Sequence, residues 1–317
     1  MMRIFLFRFL LFLLPFILLI PIELHLRENT FKAKSELIED EQNEIELLLL
    51  GSSQLAHSVN PEFIGLKTAS LAIDGSAMDI DYLLFQKYFS QLKEIKAVVV
   101  ELSYHSMFES RGQAWAKNHL LLNYFQINNY GTTPSVNQHF LISAQPQFYL
   151  RKILQEFKQK GISQYNKYGF IDKPLDTSIH LPITRFRRLS YDEKRIQLTS
   201  QDYLSKISHF SLSTKPFEAH AQRLRAIRDT CLKYEVQLIF LSPPKHQMYN
   251  QKMDAKKLAL REEFLHEMLS TNHVHFLNYE TDFERNTRLF DNENHMNIKG
   301  AEIFTKKISA HIDSLLR

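Results

Sequence analysis

The sequence holds a single cysteine among its 317 residues, Cys231, and this excludes a disulfide within the chain. No cysteine and histidine residues have the spacing of a zinc site, so neither a metal ion nor a cofactor is expected. The chain also lacks internal repeats and low-complexity tracts, which excludes repeat architectures. Its apolar fraction of 44% and charged fraction of 23% are those of an ordinary globular protein, with Cys231 expected in the core.

The sequence also lacks a large excess of charge of either sign. The formal net charge is +4 and is spread along the chain, so nucleic-acid binding has no support. The basic run Arg185–Arg188 is short, and acidic residues follow it at positions 192 and 193. We interpret this run as a solvated loop face rather than as a binding site for an anionic polymer.

The N-terminal segment is apolar enough to cross a membrane. Residues 9–24 reach only about 24 Å as a helix, whereas a bilayer core is roughly 30 Å thick. Starting at Ile4 supplies the missing length and includes Arg8, whose side chain can snorkel to the interface. We therefore predict a transmembrane signal anchor over residues 4–24, followed by a charged juxtamembrane spacer over residues 25–44.

The flanking residues predict the topology of this anchor. Residues 21–26 are bulky, which favours an uncleaved anchor over a cleaved secretory signal peptide. Because Arg3 and Arg8 come early, the positive-inside rule places the N-terminus in the cytoplasm. We expect a single-pass protein of the inner or cytoplasmic membrane, with the rest of the chain in the periplasm or outside the cell.

Short apolar runs then alternate with longer segments of helical periodicity. This rhythm predicts βα units and a mostly parallel sheet with helices on both faces. The five runs are residues 45–50, 69–73, 97–102, 236–241 and 274–277. The expected fold is a three-layer, doubly wound α/β domain over residues 45–317. Between about residues 106 and 213 the rhythm is lost, which predicts a partly helical, cap-like insertion.

Two motifs stand at the ends of this predicted domain. Gly51-Ser52-Ser53-Gln54 directly follows the first run, and residues 291–297 precede a final amphipathic helix that begins after Asn297. Glycine permits a sharp turn that projects a serine hydroxyl above the sheet edge. We predict that Ser53 and His295 meet there as nucleophile and general base. The alternative is that the serines only form a turn and helix cap, and that His295 only bonds within its loop.

The order of these motifs resembles the SGNH/GDSL hydrolase superfamily, which has Gly-Asp-Ser or Gly-Ser-Ser after the first strand and Asp-x-x-His before the last helix. The resemblance implies that Ser53 is the nucleophile and His295 the base. It also implies that the backbone N–H groups of Ser53 and Gly75 bind the oxyanion. The stretches 51–55 and 295–300 resemble membrane-anchored acyl-transferring branches, such as the teichoic-acid D-alanylation protein and alginate O-acetyltransferases.

The sequence departs from the family pattern at the acid. The family's acid lies three residues before the histidine, where this chain has Asn292. Asp291 is the candidate acid, with Asn292 and Glu293 as alternatives for orienting the imidazole. An asparagine can hold the tautomer but stabilises imidazolium charge less well. If no carboxylate reaches His295, the triad becomes a dyad.

A second departure is in the third block, where the family has Gly-x-Asn-Asp. Residues 102–106 stand there without an asparagine, so Ser103 and His105 are candidates for contacting substrate, with a structural role as the alternative. His246 follows two prolines after the fourth apolar run. It is a further candidate for contacting substrate, unless those prolines only stiffen a surface loop.

The resemblance implies a serine esterase or O-acyltransferase that acts on an acylated glycan of the cell envelope or on a small ester. A membrane protein that donates the acyl group is a further implied partner. The two departures motivate a second hypothesis, in which the domain is catalytically inactive and binds or assembles envelope components.

Overall fold

The computed structural model describes residues 2–159, 164–173 and 184–317. Its strands are β1 (Leu47–Leu50), β2 (Thr68–Ser70), β3 (Ala97–Glu101), β4 (Gln164–Tyr165), β5 (Ile171–Lys173), β6 (Gln237–Ser242), β7 (Val274–Asn278), β8 (Phe290–Asn292) and β9 (His295–Met296). Its helices are α1 (Met2–Arg27), α2 (Thr30–Asp40), α3 (Ser53–Ser58), α4 (Met78–Tyr88), α5 (Asn118–Phe125), α6 (Leu141–Ala144), α7 (Pro146–Gln159), α8 (Arg185–Arg188), α9 (Glu193–Ser205), α10 (Phe217–Lys233), α11 (Gln247–Asn250), α12 (Ala255–Met268) and α13 (Ile298–Leu315).

The central sheet has five parallel strands in the order β2-β1-β3-β6-β7. All five predicted apolar runs contribute a strand, so the prediction of an α/β protein with a parallel sheet is confirmed. The register pairs Leu49 with Val99 and Val99 with Ile239, in the middle of the sheet. Because the strands are parallel, the segments that follow β1, β2, β3 and β6 all emerge at one edge.

Both faces of the sheet are covered. Leu48, Val98 and Leu238 belong to one apolar cluster, which includes residues of α4, α10 and α12. Their neighbours in each strand belong to a second cluster, which includes residues of α3 and α13. This alternation follows from the two-residue period of a strand, and it explains why these strands are apolar throughout. Cys231 is 1% exposed in α10, as expected of a core residue.

The N-terminal helix α1 is long and apolar enough to cross a membrane. Many of its side chains, including Phe5, Phe7 and Phe12, are exposed. Its C-terminal end is fastened to the rest of the protein, because the carboxylate of Glu23 accepts hydrogen bonds from the backbone N–H groups of Leu141 and Ile142. The apolar helix and the folded domain are therefore directly joined.

The segment predicted as a spacer, residues 25–44, contains α2. Asn29 caps this helix by accepting hydrogen bonds from the backbone N–H groups of Phe31 and Lys32. Phe31, Leu37 and Ile38 are buried in the first apolar cluster. Helix α2 thus packs onto the domain directly after α1.

The predicted insertion, about residues 106–213, lies between β3 and β6 and contains α5 to α9 and the hairpin β4–β5. The final helix, α13, begins after Asn297, whose side chain accepts a hydrogen bond from the N–H of Gly300. This cap confirms the predicted start. His295, predicted in a loop, instead begins β9, which pairs with β8 as a short antiparallel hairpin.

Candidate active site

The turn after β1 is built around a buried carboxylate. Glu101, the last residue of β3, accepts hydrogen bonds through Oε2 from Ser52 N (2.7 Å), Ser52 Oγ (2.9 Å) and Leu55 N (3.3 Å). A carboxylate at a helix N-terminus is favoured by the free N–H groups and the helix dipole. Ser52 is the N-cap of α3, so the next residue, Ser53, occupies the first helical position with its hydroxyl available.

Gly51 allows Glu101 to approach this closely. A Cβ atom at Gly51 would lie 2.6 Å from Glu101 Cβ and 2.8 Å from Glu101 Oε2. We expect Gly51→Ala to destabilise the protein by about 1–3 kcal/mol, because two packed segments would have to separate. Urea unfolding of the detergent-solubilised chain measures this. Gly65→Ala is the matched control, since its Cβ would meet no atom closer than 3.7 Å; equal stability loss in both variants would contradict the close-contact argument.

Ser53 and His295 are brought together although 242 positions separate them in sequence. Ser53 Oγ lies 2.8 Å from His295 Nε2, and Asn292 Oδ1 lies 3.0 Å from His295 Nδ1. Asn292 Oδ1 also accepts a hydrogen bond from the backbone N–H of Asn294, which orients the amide with its oxygen toward the ring. The proton of the neutral imidazole is then on Nδ1, and Nε2 is free to accept from Ser53.

A buried ion pair holds the short hairpin that carries His295. Glu293 is fully buried and forms an ion pair with Arg185 of α8. Burial raises the pKa of Glu293, against the charge of this arginine. Arg185 is only 7% exposed, so the expectation of a solvated face is wrong at this residue. Glu293 is thus committed to holding the hairpin in place.

A second histidine lies against the first. The ring centroids of His57 and His295 are 4.9 Å apart, and His57 Nε2 lies 3.3 Å from a carboxylate oxygen of Asp74. His57 is four residues after Ser53 on α3, which places both on one side of the helix. Burial alone would lower the pKa of His57, but the charge and hydrogen bond of Asp74, together with the charge of Asp291, raise it.

The surroundings of His295 keep its imidazole neutral. Burial, and then the positive charge of His57, hold the pKa of His295 well below its ordinary value of 6.5, against the negative charge of Asp74. The charges of His209 and Lys245 act in the same direction as that of His57. A low pKa keeps Nε2 unprotonated at neutral pH, which a general base requires.

The predicted oxyanion donors lie on adjacent turns. The N–H of Ile73 and the hydroxyl of Ser76 both donate to the carbonyl of Gly51 at 2.8 Å, which ties the turn after β2 to the turn after β1. Gly75 lies within that turn at φ +71°, a conformation that favours glycine. Across the described part of the chain, the backbone N–H groups of Ser53 and Gly75 donate no hydrogen bond.

Ser103 and His105 also lie at this edge, after β3. The buried Lys245 Nζ donates to Ser103 Oγ at 3.4 Å and to the carbonyl of Pro243. Burial lowers the pKa of Lys245 to about 8. His105 stacks on His209 with ring centroids 4.0 Å apart. Burial, followed by nearby positive charges, holds the pKa of both rings well below the ordinary value.

His105, His209 and Glu109 are close enough together to be tested as metal ligands, since one donor atom of each lies within 4.8 Å of the others. Their geometry fits a metal poorly. The two rings are parallel to within 7°, whereas rings that bind one ion must converge on it. Glu109 is also paired with Arg111 at 2.8 Å. The cluster therefore places two neutral imidazole rings, those of His105 and His209, beside the site.

His246 belongs to a different environment. Its ring packs edge-on against Phe186 and Phe290 and lies 3.3 Å from the hydroxyl of Thr287. It is 2% exposed, and burial lowers its pKa to about 4. Through Phe290 of β8, His246 therefore packs against the hairpin that carries His295.

The chain, compared with known proteins, matches no family model and no curated protein.

Several residues of this site are hard to recognise from the sequence. Glu101 is the easiest of them, because it is a carboxylate at the end of a strand that is otherwise wholly apolar. His57 is harder to recognise, and the only indication is that it stands one helical turn after Ser53. Asp74, His209 and Lys245 come from three distant segments, and only the folded sheet edge brings them together.

Proposed function

We propose that this protein is a membrane-tethered, SGNH-like serine hydrolase or O-acyltransferase that acts on an acyl ester of a cell-envelope glycan or a related compound. The observation that carries the proposal is the 2.8 Å contact between Ser53 Oγ and His295 Nε2, with Asn292 Oδ1 on the opposite ring nitrogen. A serine hydroxyl needs such a base to become a nucleophile. The strand order and the helices on both faces suit the three-layer, doubly wound fold of that superfamily.

The proposed reaction has two halves. In the first, Ser53 Oγ attacks the ester carbonyl, its proton passes to His295 Nε2, and the N–H groups of Ser53 and Gly75 bind the oxyanion. The proton then moves from His295 to the leaving alkoxide as the ester bond breaks, which leaves an acyl group on Ser53. In the second half, water or a sugar hydroxyl attacks this acyl-enzyme and gives hydrolysis or transfer, respectively.

The surroundings of the base suit this role. Asn292 holds the reactive tautomer but adds no charge to stabilise the imidazolium. The carboxylate whose charge raises the pKa of His295 is that of Asp74, which pairs with His57. We therefore propose a dyad of Ser53 and His295, oriented by Asn292.

The proposed location follows from α1 and its flanking charges. A single-pass helix with Arg3 and Arg8 on the cytoplasmic side would put the domain in the periplasm or outside the cell. Tethering beside the inner or cytoplasmic membrane suits exchange of acyl groups with a membrane protein that donates them. A bulky envelope glycan would be a fitting acceptor.

A serine-reactive phosphonate tests both the chemistry and the location. We expect the reagent to label Ser53 of the purified chain, as mapped by mass spectrometry, and we expect the label to persist on Ser53 in Ser52→Ala. A charged, membrane-impermeant form should label the same residue in intact spheroplasts. Label that requires lysis would overturn the topology alone. A chain that does not label at Ser53 would favour the inactive binding or assembly protein, for which the asparagine at 292 is the motivation.

A further inference from the structure

A cleft lies beside the proposed active site, between His57 of α3, the turn after β2 and helix α2. It has a volume of about 90 Å³ and is lined by His57 and Asp74 on one side and by Phe31 and Lys34 of α2 on the other. His57 connects the cleft with the proposed base, because its ring lines the cleft and also packs against the ring of His295 with centroids 4.9 Å apart. Along α3, one helical turn of about 5.4 Å separates Ser53 from His57.

The cleft contains more positive than negative charge. Lys34 and Lys117 line it, together with His57 and a single carboxylate, Asp74. That carboxylate already pairs with His57. Among the described residues, Lys34 Nζ donates only to the carbonyl of Ser70 (3.1 Å) and Lys117 Nζ only to the carbonyl of Asp74.

Because Lys34 is buried, its positive charge is energetically unfavourable. The residue is 6% exposed, and burial lowers its pKa to about 8, against the charge of Asp74. Burial likewise lowers the pKa of Lys117, against the charge of Asp74, and the charge of Arg111 acts in the same direction as burial. Burying an ammonium group costs free energy when no carboxylate is paired with it, and a bound anion would offset that cost.

Most of the remaining wall of the cleft is apolar. Phe31, Phe170 and Ile171 contribute apolar surface. The turn of the β4–β5 hairpin presses on α2, since a Cβ at Gly169 would lie 2.8 Å from Lys34 Cγ. Helix α2 begins three residues after α1 ends, so the cleft lies close to the membrane surface if α1 spans the bilayer.

We propose that this cleft binds a phosphate group carried by the acyl substrate, with Lys34 and Lys117 as its cationic contacts. The inference rests on the proposed function, because His57 of the cleft stands one helical turn after Ser53 on α3. Phosphate supplies several acceptor oxygens for two ammonium groups. The phosphate can belong to a lipid headgroup or to a soluble glycan phosphate.

Binding is measured separately from turnover. The full chain bearing Ser53→Ala, in a zwitterionic detergent, is titrated calorimetrically with sn-glycerol 3-phosphate and, as the neutral comparison, with glycerol. Adding Lys34→Met or Lys117→Met is expected to weaken glycerol phosphate binding by about tenfold to a hundredfold, the usual worth of a charge-assisted hydrogen bond. Methionine keeps the stem volume of Lys34, and Lys256→Met, exposed on α12, is the matched control that should change nothing.

A second arm identifies the source of the phosphate. Flotation with phosphatidylglycerol vesicles is compared with phosphatidylcholine vesicles, for the same variants. A preference for the anionic vesicles that is lost in Lys34→Met and Lys117→Met supports the cleft with a lipid headgroup as its ligand, whereas binding of soluble glycerol phosphate alone supports a glycan phosphate. Binding of neither probe, or binding that both lysine variants retain at the strength of Lys256→Met, overturns the proposal.

Phosphonate labelling separates this proposal from the proposed function. With Ser53 restored, Lys34→Met should still label at Ser53, which shows that the variant is folded. A chain that labels but binds no phosphate refutes the cleft alone. A chain that binds phosphate through Lys34 and does not label refutes the serine chemistry alone.

Discussion

Ser53→Ala is expected to lower the turnover of p-nitrophenyl acetate by about 10⁶, the loss found when the nucleophile of a strong serine hydrolase is removed. The hydroxyl of Ser53 is the group that would bond to the acyl carbon, and alanine leaves nothing in its place. We expect His295→Gln to cost a similar factor, because Nε2 would no longer accept the proton. Stopped-flow and steady-state measurements of p-nitrophenol release give both values.

The double variant sharpens this expectation. Two groups that act as one unit are not additive, so Ser53→Ala combined with His295→Gln should lose little beyond either single variant. His266→Gln, an exposed histidine on α12, is the matched control and should keep wild-type turnover. Activity that survives in Ser53→Ala, or losses that multiply in the double variant, would show that the two residues do not share a reaction step.

Much of the framework of this site could be predicted from the sequence. The five apolar runs are continuous because their strands are buried on both faces, and parallel strands emerge at one edge. That logic is sufficient to predict that the segments around Ser53 and His295 approach each other. The cap at Asn297 likewise fixes the start of α13, because its side chain bonds to the N–H of Gly300.

The sequence did not predict how charges are arranged around the base. Whether Asp291, Asn292 or Glu293 faces the imidazole depends on the register of a two-strand hairpin, which a motif of seven residues does not specify. Glu293 is drawn to Arg185, a residue in the insertion where no strand–helix rhythm guides prediction. The pairing of His57 with Asp74 depends on the turn after β2, whose conformation only the assembled sheet determines.

The resulting arrangement differs from a triad in the position of its negative charge. A triad puts a carboxylate directly on Nδ1 and so stabilises the imidazolium that forms during reaction. Here the amide of Asn292 occupies that position, while the carboxylate of Asp74 lies behind the ring of His57. His295 is therefore held with its proton on Nδ1 and with a low pKa, so Nε2 stays unprotonated over a wide pH range but is a weaker proton acceptor.

Asn292 is the residue at which this difference can be measured. Asn292→Leu removes the acceptor from Nδ1 and frees the ring to adopt the other tautomer, so we expect turnover to fall by about 10³. Asn292→Asp puts a carboxylate 3.0 Å from Nδ1 and favours the imidazolium. The pKa of His295 then rises, so the acid limb of the rate profile should move up by about 1–3 pH units and the plateau rate should increase about tenfold or more.

The direction of the pH effect is what separates catalysis from packing. In the native protein, the acid limb should lie below pH 6.5, because the pKa of His295 is depressed and the base stays neutral in mild acid. Rate profiles of p-nitrophenyl ester hydrolysis from pH 4.5 to 9 give both the limb and the plateau. Asn272→Leu and Asn272→Asp, in the exposed turn before β7, are the matched controls and should leave the profile unchanged. A merely structural Asn292 would lower stability in both of its variants without moving the limb, and that result would refute its role in orienting the base.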